Sequence, residues 1–132
     1  MKNIFRIFLL STLILGAFQV QASILVQKDT VYTIVDVEPQ FKGGEKKMAK
    51  FIQDEVVYPQ DALDTKAQGV VYIQFIVEKD GALSNLKIVK GANIALNKEA
   101  ERIVAEMPNW TPGLKNNEAV RTYFVLPINF KL

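Results

Sequence analysis

The stretch 119–132 constrains the fold more than any other part of the chain. It reads Ala-Val-Arg-Thr-Tyr-Phe-Val-Leu-Pro-Ile-Asn-Phe-Lys-Leu, so that Val120, Thr122, Phe124, Leu126, Ile128, Phe130 and Leu132 alternate with Arg121, Tyr123, Asn129 and Lys131. A period of two marks a strand with one face in a core. Pro127 lies inside it. Proline has no N–H, so a strand that carries one belongs at a sheet edge or contains a bulge. An open edge accepts a strand from another protein. If Pro127 turns its nitrogen to the open side, the residues in phase with it, Arg121, Tyr123 and Val125, present their backbone groups outward. The side chains of Arg121 and Tyr123 add contacts there. The expected partner-binding strand therefore comprises Arg121, Thr122, Tyr123, Phe124, Val125 and Pro127. The feature points to a binding module rather than an enzyme.

Composition supports that direction by exclusion. The chain has 132 residues, enough for one small domain, and it contains no Cys and no His. Cys/His and Ser/His/Asp nucleophilic sites, disulfides and nearly all zinc sites are thereby removed. No metal and no cofactor is expected. Only carboxylates, Lys and Tyr remain for acid–base work. Glu99, Glu101 and Glu106 are the densest acidic group, but Glu99 and Glu106 do not closely share a helix face, and Glu101 is placed to pair with Lys98 or Arg102. The net charge of +2 comes from Lys2 and Arg6; from Ser23 onward the basic and acidic residues balance. A neutral domain without a basic stripe is a poor binder of nucleic acid.

Lys2 and Arg6 precede an apolar run from Ile7 to Phe18, followed by Val20-Gln21-Ala22. This is the pattern of a secretory signal peptide spanning residues 1–22 and cut after Ala22. The alternative is an uncleaved, single-pass inner-membrane anchor with its N-terminus inside. Gln19, Gln21 and Ser23 and the short apolar core favour cleavage. Either way, residues 23–132 lie on the outer side of the membrane, and the expected location is the periplasm. Residues 23–35 form a short lead, and 36–132 the domain.

Along the domain, Val31 to Val37 alternate weakly, as an accessory strand would. Glu38 to Gly44 is a Pro/Gly loop. A helix starts near Gly44, with Met48, Phe51, Ile52 and Val56 on one face and Lys46, Lys47 and Lys50 elsewhere. It ends before Tyr58-Pro59, because the residue before a proline avoids the helical region. Pro59 opens a short helical turn through Ala62 and Leu63. Gln68 to Glu78 reads as a strand with Val71, Ile73, Phe75 and Val77 on one face. Lys79-Asp80-Gly81 is a tight turn. The return strand runs from Ala82 to Lys90, and its apolar phase shifts between Leu83 and Leu86/Ile88, which one extra residue near Ser84–Asn85 explains as a β-bulge. Asn97 is the expected N-cap of a second helix carrying Leu96, Ala100, Ile103, Val104 and Met107, ended by Pro108. Trp110, between two prolines, is expected to plug the core.

The order helix, strand, strand, helix, strand implies an α+β fold: a three-stranded antiparallel sheet with two helices packed on one face. The expected core is Phe51, Ile52, Val71, Ile73, Phe75, Val77, Leu83, Ile88, Ala100, Val104, Phe124, Leu126, Ile128 and Phe130.

Together these residues resemble the TonB C-terminal domain family. The elements that carry the resemblance are Tyr58-Pro59 with Ala62, Gly69-Val70-Val71 leading to Phe75 and Val77, Asp80-Gly81, Leu83, Ile88-Val89, and Leu96 with Ala100. The Trp110-Thr111-Pro112 corner and the closing Pro127-Ile128-Asn129-Phe130 complete them. Pro39 to Glu45 resembles a lead-in of Bacteroidetes members. The resemblance spans roughly residues 36–132 and rests on order and spacing. It implies a domain that binds the TonB box of outer-membrane receptors as an added strand, in energy-coupled transport of siderophores, cobalamin or glycans. It also implies an inner-membrane proton-motive motor as a second partner. Full-length transducers of that family carry a membrane helix with an important His and a long Pro-rich spacer. This chain has no His, and residues 23–35 reach at most ~45 Å, too short to cross a typical periplasm. The alternative is therefore a non-energised periplasmic adaptor or assembly domain that forms a homodimer through its edge strand.

Overall fold

A computed structural model describes residues 30–132. The expected signal or anchor segment, residues 1–22, and most of the lead lie outside the described residues. Local chemistry accounts for most of the elements. Helix α1 (Glu45–Glu55) starts after Gly44 and gives way to extended backbone at Val56, ahead of Tyr58-Pro59. Pro59 caps α2 (Gln60–Asp64), which buries Ala62. Strands β2 (Gly69–Val77) and β3 (Leu83–Lys90) are joined by the Asp80-Gly81 turn, where Gly81 has φ 89° and its N–H bonds the Glu78 carbonyl at 2.8 Å. Only glycine fits there, since a Cβ would stand 1.9 Å from the Trp110 carbonyl oxygen.

Helix α3 (Ile94–Ala105) begins earlier than the sequence suggests. Its N-cap is Asn93, whose side chain accepts from the N–H groups of Ala95 and Leu96. Asn97 instead accepts from the Ala92 N–H at 3.0 Å. Both asparagines have capping chemistry; the earlier one wins because it leaves Leu96 inside the helix and fully buried.

The sheet has five strands, not the three expected from sequence. The chain order within it is β1-β5-β2-β3, with β4 also pairing β5. Strand β1 is Val31–Tyr32, β4 is Gly113–Lys115 and β5 is Glu118–Phe130. β4 escaped the sequence reading because three residues carry no measurable period, whereas β1 falls within Val31 to Val37, expected as an accessory strand but not counted in the sheet. A signal for β4 was nevertheless present. Asn116 and Asn117 both adopt positive φ, 51° and 62°, and turn β4 into β5 as a two-residue hairpin. The three-stranded antiparallel core β5-β2-β3 is as expected.

Two register shifts break the β2–β3 ladder. One lies between Gln74↔Lys87 and Ile76↔Ser84, where Asn85 has φ 51°, matching the expected bulge. The other leaves Val89 as an extra residue between Ile88 and Lys90. The β2–β5 ladder, by contrast, runs without a shift from Gly69↔Phe130 to Val77↔Thr122.

The core lies on one face of the sheet. Val71, Ile73, Phe75 and Val77 of β2 and Leu126, Ile128 and Phe130 of β5 are buried, together with Leu96, Ala100, Ile103 and Val104 of α3. Phe41, Ala62, Leu96, Ile103 and Trp110 join the expected set; Phe51, Ile52, Leu83, Ile88 and Phe124 pack against it only partly buried. Trp110 is the expected plug. It sits edge-on to Phe75 (5.2 Å), Phe124 (5.0 Å) and Phe41 (6.1 Å between ring centroids), a geometry that aromatic quadrupoles favour. Among the described residues no helix is long and apolar enough to cross a membrane.

Candidate functional site: the outer margin of β5

β5 is longer than any of its neighbours, and its two sides are used differently. On one side it pairs β2 over nine positions and β4 over three. Leu114 directs both of its backbone groups to Asp36 and Val37, so its neighbours Gly113 and Lys115 face Val120 and Glu118 of β5. β4 thus continues the line of β2 along the same side.

Pro127 lies opposite Tyr72 in a ladder that shows no break. A proline leaves a ladder intact when its missing N–H faces away from the partner. The outward direction therefore belongs to Pro127 and the residues in phase with it: Arg121, Tyr123, Val125 and Asn129. The first of these is already engaged. β1 pairs in parallel with β5 in the register Val31↔Arg121 and Tyr32↔Thr122. Tyr32 is held further by the Lys115 ammonium, 5.3 Å from its ring centroid. Among the described residues, no strand or bridge flanks this side of β5 from Tyr123 to Asn129.

The side chains of the expected site residues divide between two faces. Thr122 is fully buried and its hydroxyl donates to the Val120 carbonyl at 3.2 Å. Phe124 is half-buried against Phe75 and Trp110. These two support the strand from the core side. Tyr123, Val125 and Pro127 are exposed on the face that carries no helix. Arg121 is half-buried and clasps Glu78, with Nε 2.7 Å from Oε2. That pair locks the end of β5 to the end of β2.

The sequence reading missed the part that α1 plays. α1 lies over β5 with Met48, Phe51, Ile52 and Val56 packed against the core, yet it contains no fully buried residue. A groove runs between it and β5, lined by Ala49, Ile52 and Gln53 on the helix, Val56 just after it, and Pro127, Ile128 and Asn129 on the strand.

A second unforeseen feature ties α1 to α3. Glu99 is a buried carboxylate that accepts from the Val57 N–H at 2.6 Å and from Arg102 Nε at 2.6 Å. Arg102 also donates to the Glu55 carbonyl at 2.7 Å. Burial alone would raise the Glu99 pKa, but the bonds from Arg102 and Val57 outweigh it and hold the carboxyl below the usual carboxylate range. Arg102 is raised in turn, first of all by its bond to Glu99. Arg102 partners Glu99, Glu55 and Glu106, not Glu101 as the spacing suggested. The choice follows from burial: Glu99 faces the core and needs a counter-charge, whereas exposed Glu101 has water.

The Gram-negative bacterial TonB protein C-terminal family matches residues 54–132. No curated protein matches the chain. Similar solved structures include two of Helicobacter pylori TonB-CTD, both by NMR in solution. The one of residues 179-285 is 24% identical, covers 66% of this chain and 78% of its own, and has a TM-score of 0.49. The one of residues 194-285 is also 24% identical, covers 65% and 90%, and has the same TM-score of 0.49. With the family match spanning more than half of its length, the chain belongs to the TonB C-terminal family.

Proposed function

We propose that the protein is a periplasmic strand-binding module of the TonB type. It contacts the TonB box of outer-membrane receptors in energy-coupled transport of siderophores, cobalamin or glycans. The observation that carries this reading is the outer margin of β5 from Tyr123 to Asn129. It is regular, flanked by no strand among the described residues, and continuous with a stretch where β1 already pairs. Backbone groups in such a margin recover in a partner strand the hydrogen bonds that water otherwise supplies. In this reading Tyr123 and Val125 bond the incoming backbone, and Pro127 limits the pairing by withholding one donor. Arg121 and Thr122 hold the strand in place through Glu78 and the core, and Phe124 backs it from the core side. Family membership supports the partner class.

The test is an NMR titration of the protein with TonB-box peptides from receptors of the same organism. Amide shifts at Tyr123, Val125 and Asn129 are expected. Shifts confined to β3, or the absence of shifts with every peptide while the domain stays folded, would overturn the reading.

A further inference from the structure

A strand added at β5 has side chains of two phases. Those in phase with Pro127 point to the helix-free face. Those in phase with Ile128 point to the core face and arrive beneath α1, about 5 Å from the neighbouring β5 side chain. At that place the groove is open. It is lined by Ala49, Ile52 and Gln53 of the helix, by Val56 just after it, and by Pro127, Ile128 and Asn129 of the strand. No charged side chain lines it. An ion entering such walls loses hydration without a partner, whereas a hydrocarbon side chain gains by leaving water.

The occupant is narrowed by what adjoins the groove. The groove opens beside Pro127 to Asn129, on the margin of β5 that β1 pairs as far as Thr122, so a segment added to that margin runs beside Tyr123 to Asn129. A second copy of β5, paired antiparallel across a two-fold axis, would bring its own α1 to the same face. The two helices would then compete for the space that each groove leaves for one side chain.

Resting on the strand-binding reading above, we propose that the α1–β5 groove is the specificity pocket of that site. It takes one aliphatic side chain, valine or larger, from the residue of the partner strand that lies beside Ile128. α1 is the wall that selects, and β5 is the ladder that holds.

The test uses capped heptathreonine peptides in which one valine is moved through the seven positions, titrated into the protein while backbone amides and methyl groups are followed by NMR. One position is expected to bind about tenfold more tightly than heptathreonine, with methyl shifts at Ile52, Val56 and Ile128 accompanying the amide shifts at Val125 and Asn129. Ala49→Phe fills the groove from an exposed helix position. It is expected to abolish the tenfold preference while the amide shifts persist and the melting temperature holds. Amide shifts with no positional preference, or a preference that survives Ala49→Phe, would overturn the pocket and leave strand addition standing. No amide shifts with any peptide would overturn both. Growth of the particle with protein concentration, with the same amides broadened, would identify a second copy as the occupant and overturn the proposal.

Discussion

The two margins of the sheet are built in opposite ways. The β3 margin is irregular: two register shifts, Asn85 in a left-handed conformation, Val89 squeezed out of the ladder, and Lys87 and Lys90 exposed along it. Bulges and lysines are the means by which sheets discourage further strands. The β5 margin has a shift-free ladder behind it, and a strand of the same chain already pairs on it. Among the described residues, Pro127 is the one device that blunts it. The margin proposed to take a strand is also the one beside α1, which has no buried residue. α3 has five buried residues, whereas α1 has none.

The strongest way to break this contrast is to remove the core that both margins share. Phe75 is fully buried between Trp110 and Phe124. Phe75→Ala is predicted to cost about 4 kcal/mol by urea denaturation, and a loss below about 2 kcal/mol would mean that the β5 margin is supported independently of the centre.

Glu99→Gln acts on one side only. It weakens the bonds to Arg102 and the Val57 N–H, with an expected loss of about 2 kcal/mol. Hydrogen exchange should quicken at Val57 and the last turn of α1 while β3 stays protected; uniform acceleration would refute the local role. The pH dependence has a definite sign. The folded carboxyl titrates below its unfolded value of ~4.3, so its contribution is present above that pH and is lost as pH falls through the lower, folded value. The wild-type protein should therefore destabilise more steeply than Glu99→Gln on acidification below about pH 4.3.

Pro127→Val restores a donor to the β5 margin. Stability should change by less than about 1 kcal/mol, but light scattering should show size rising with concentration. Lys87→Val with Lys90→Val on β3 should leave a monomer, because the bulges remain; association there instead would reverse the contrast. The smallest effect is expected at Lys50, whose 3.0 Å pair with Asp54 is exposed on the outside of α1. Lys50→Ala should cost about 0.3 kcal/mol in thermal melts, and a larger loss would mean that α1 is held from its outer face.

Much of this was legible beforehand. The phase of β2 and β5, the bulge at Asn85 and the helix stops before Pro59 and Pro108 follow from contacts between near neighbours, and the Trp110 plug was expected from its place between two prolines. The start of α3 was misplaced because Asn93 and Asn97 offer the same cap within one turn. The strand count was wrong because β4 has no pattern of its own and the weak alternation from Val31 to Val37 did not reveal that β1 pairs with β5.

The sequence by itself determined where the chain extends, coils and turns, and that the last strand would tolerate a proline only toward an open side. Those properties depend on backbone sterics and on the alternation of apolar residues, both of which act over a few positions. Tertiary structure decided that β1 pairs β5 as far as Thr122 and that α1 stands off from β5 to leave a groove. It also decided that Glu99 would be buried, against the Val57 N–H from 42 residues away. These outcomes depend on which distant surfaces meet, and a local pattern carries no record of that.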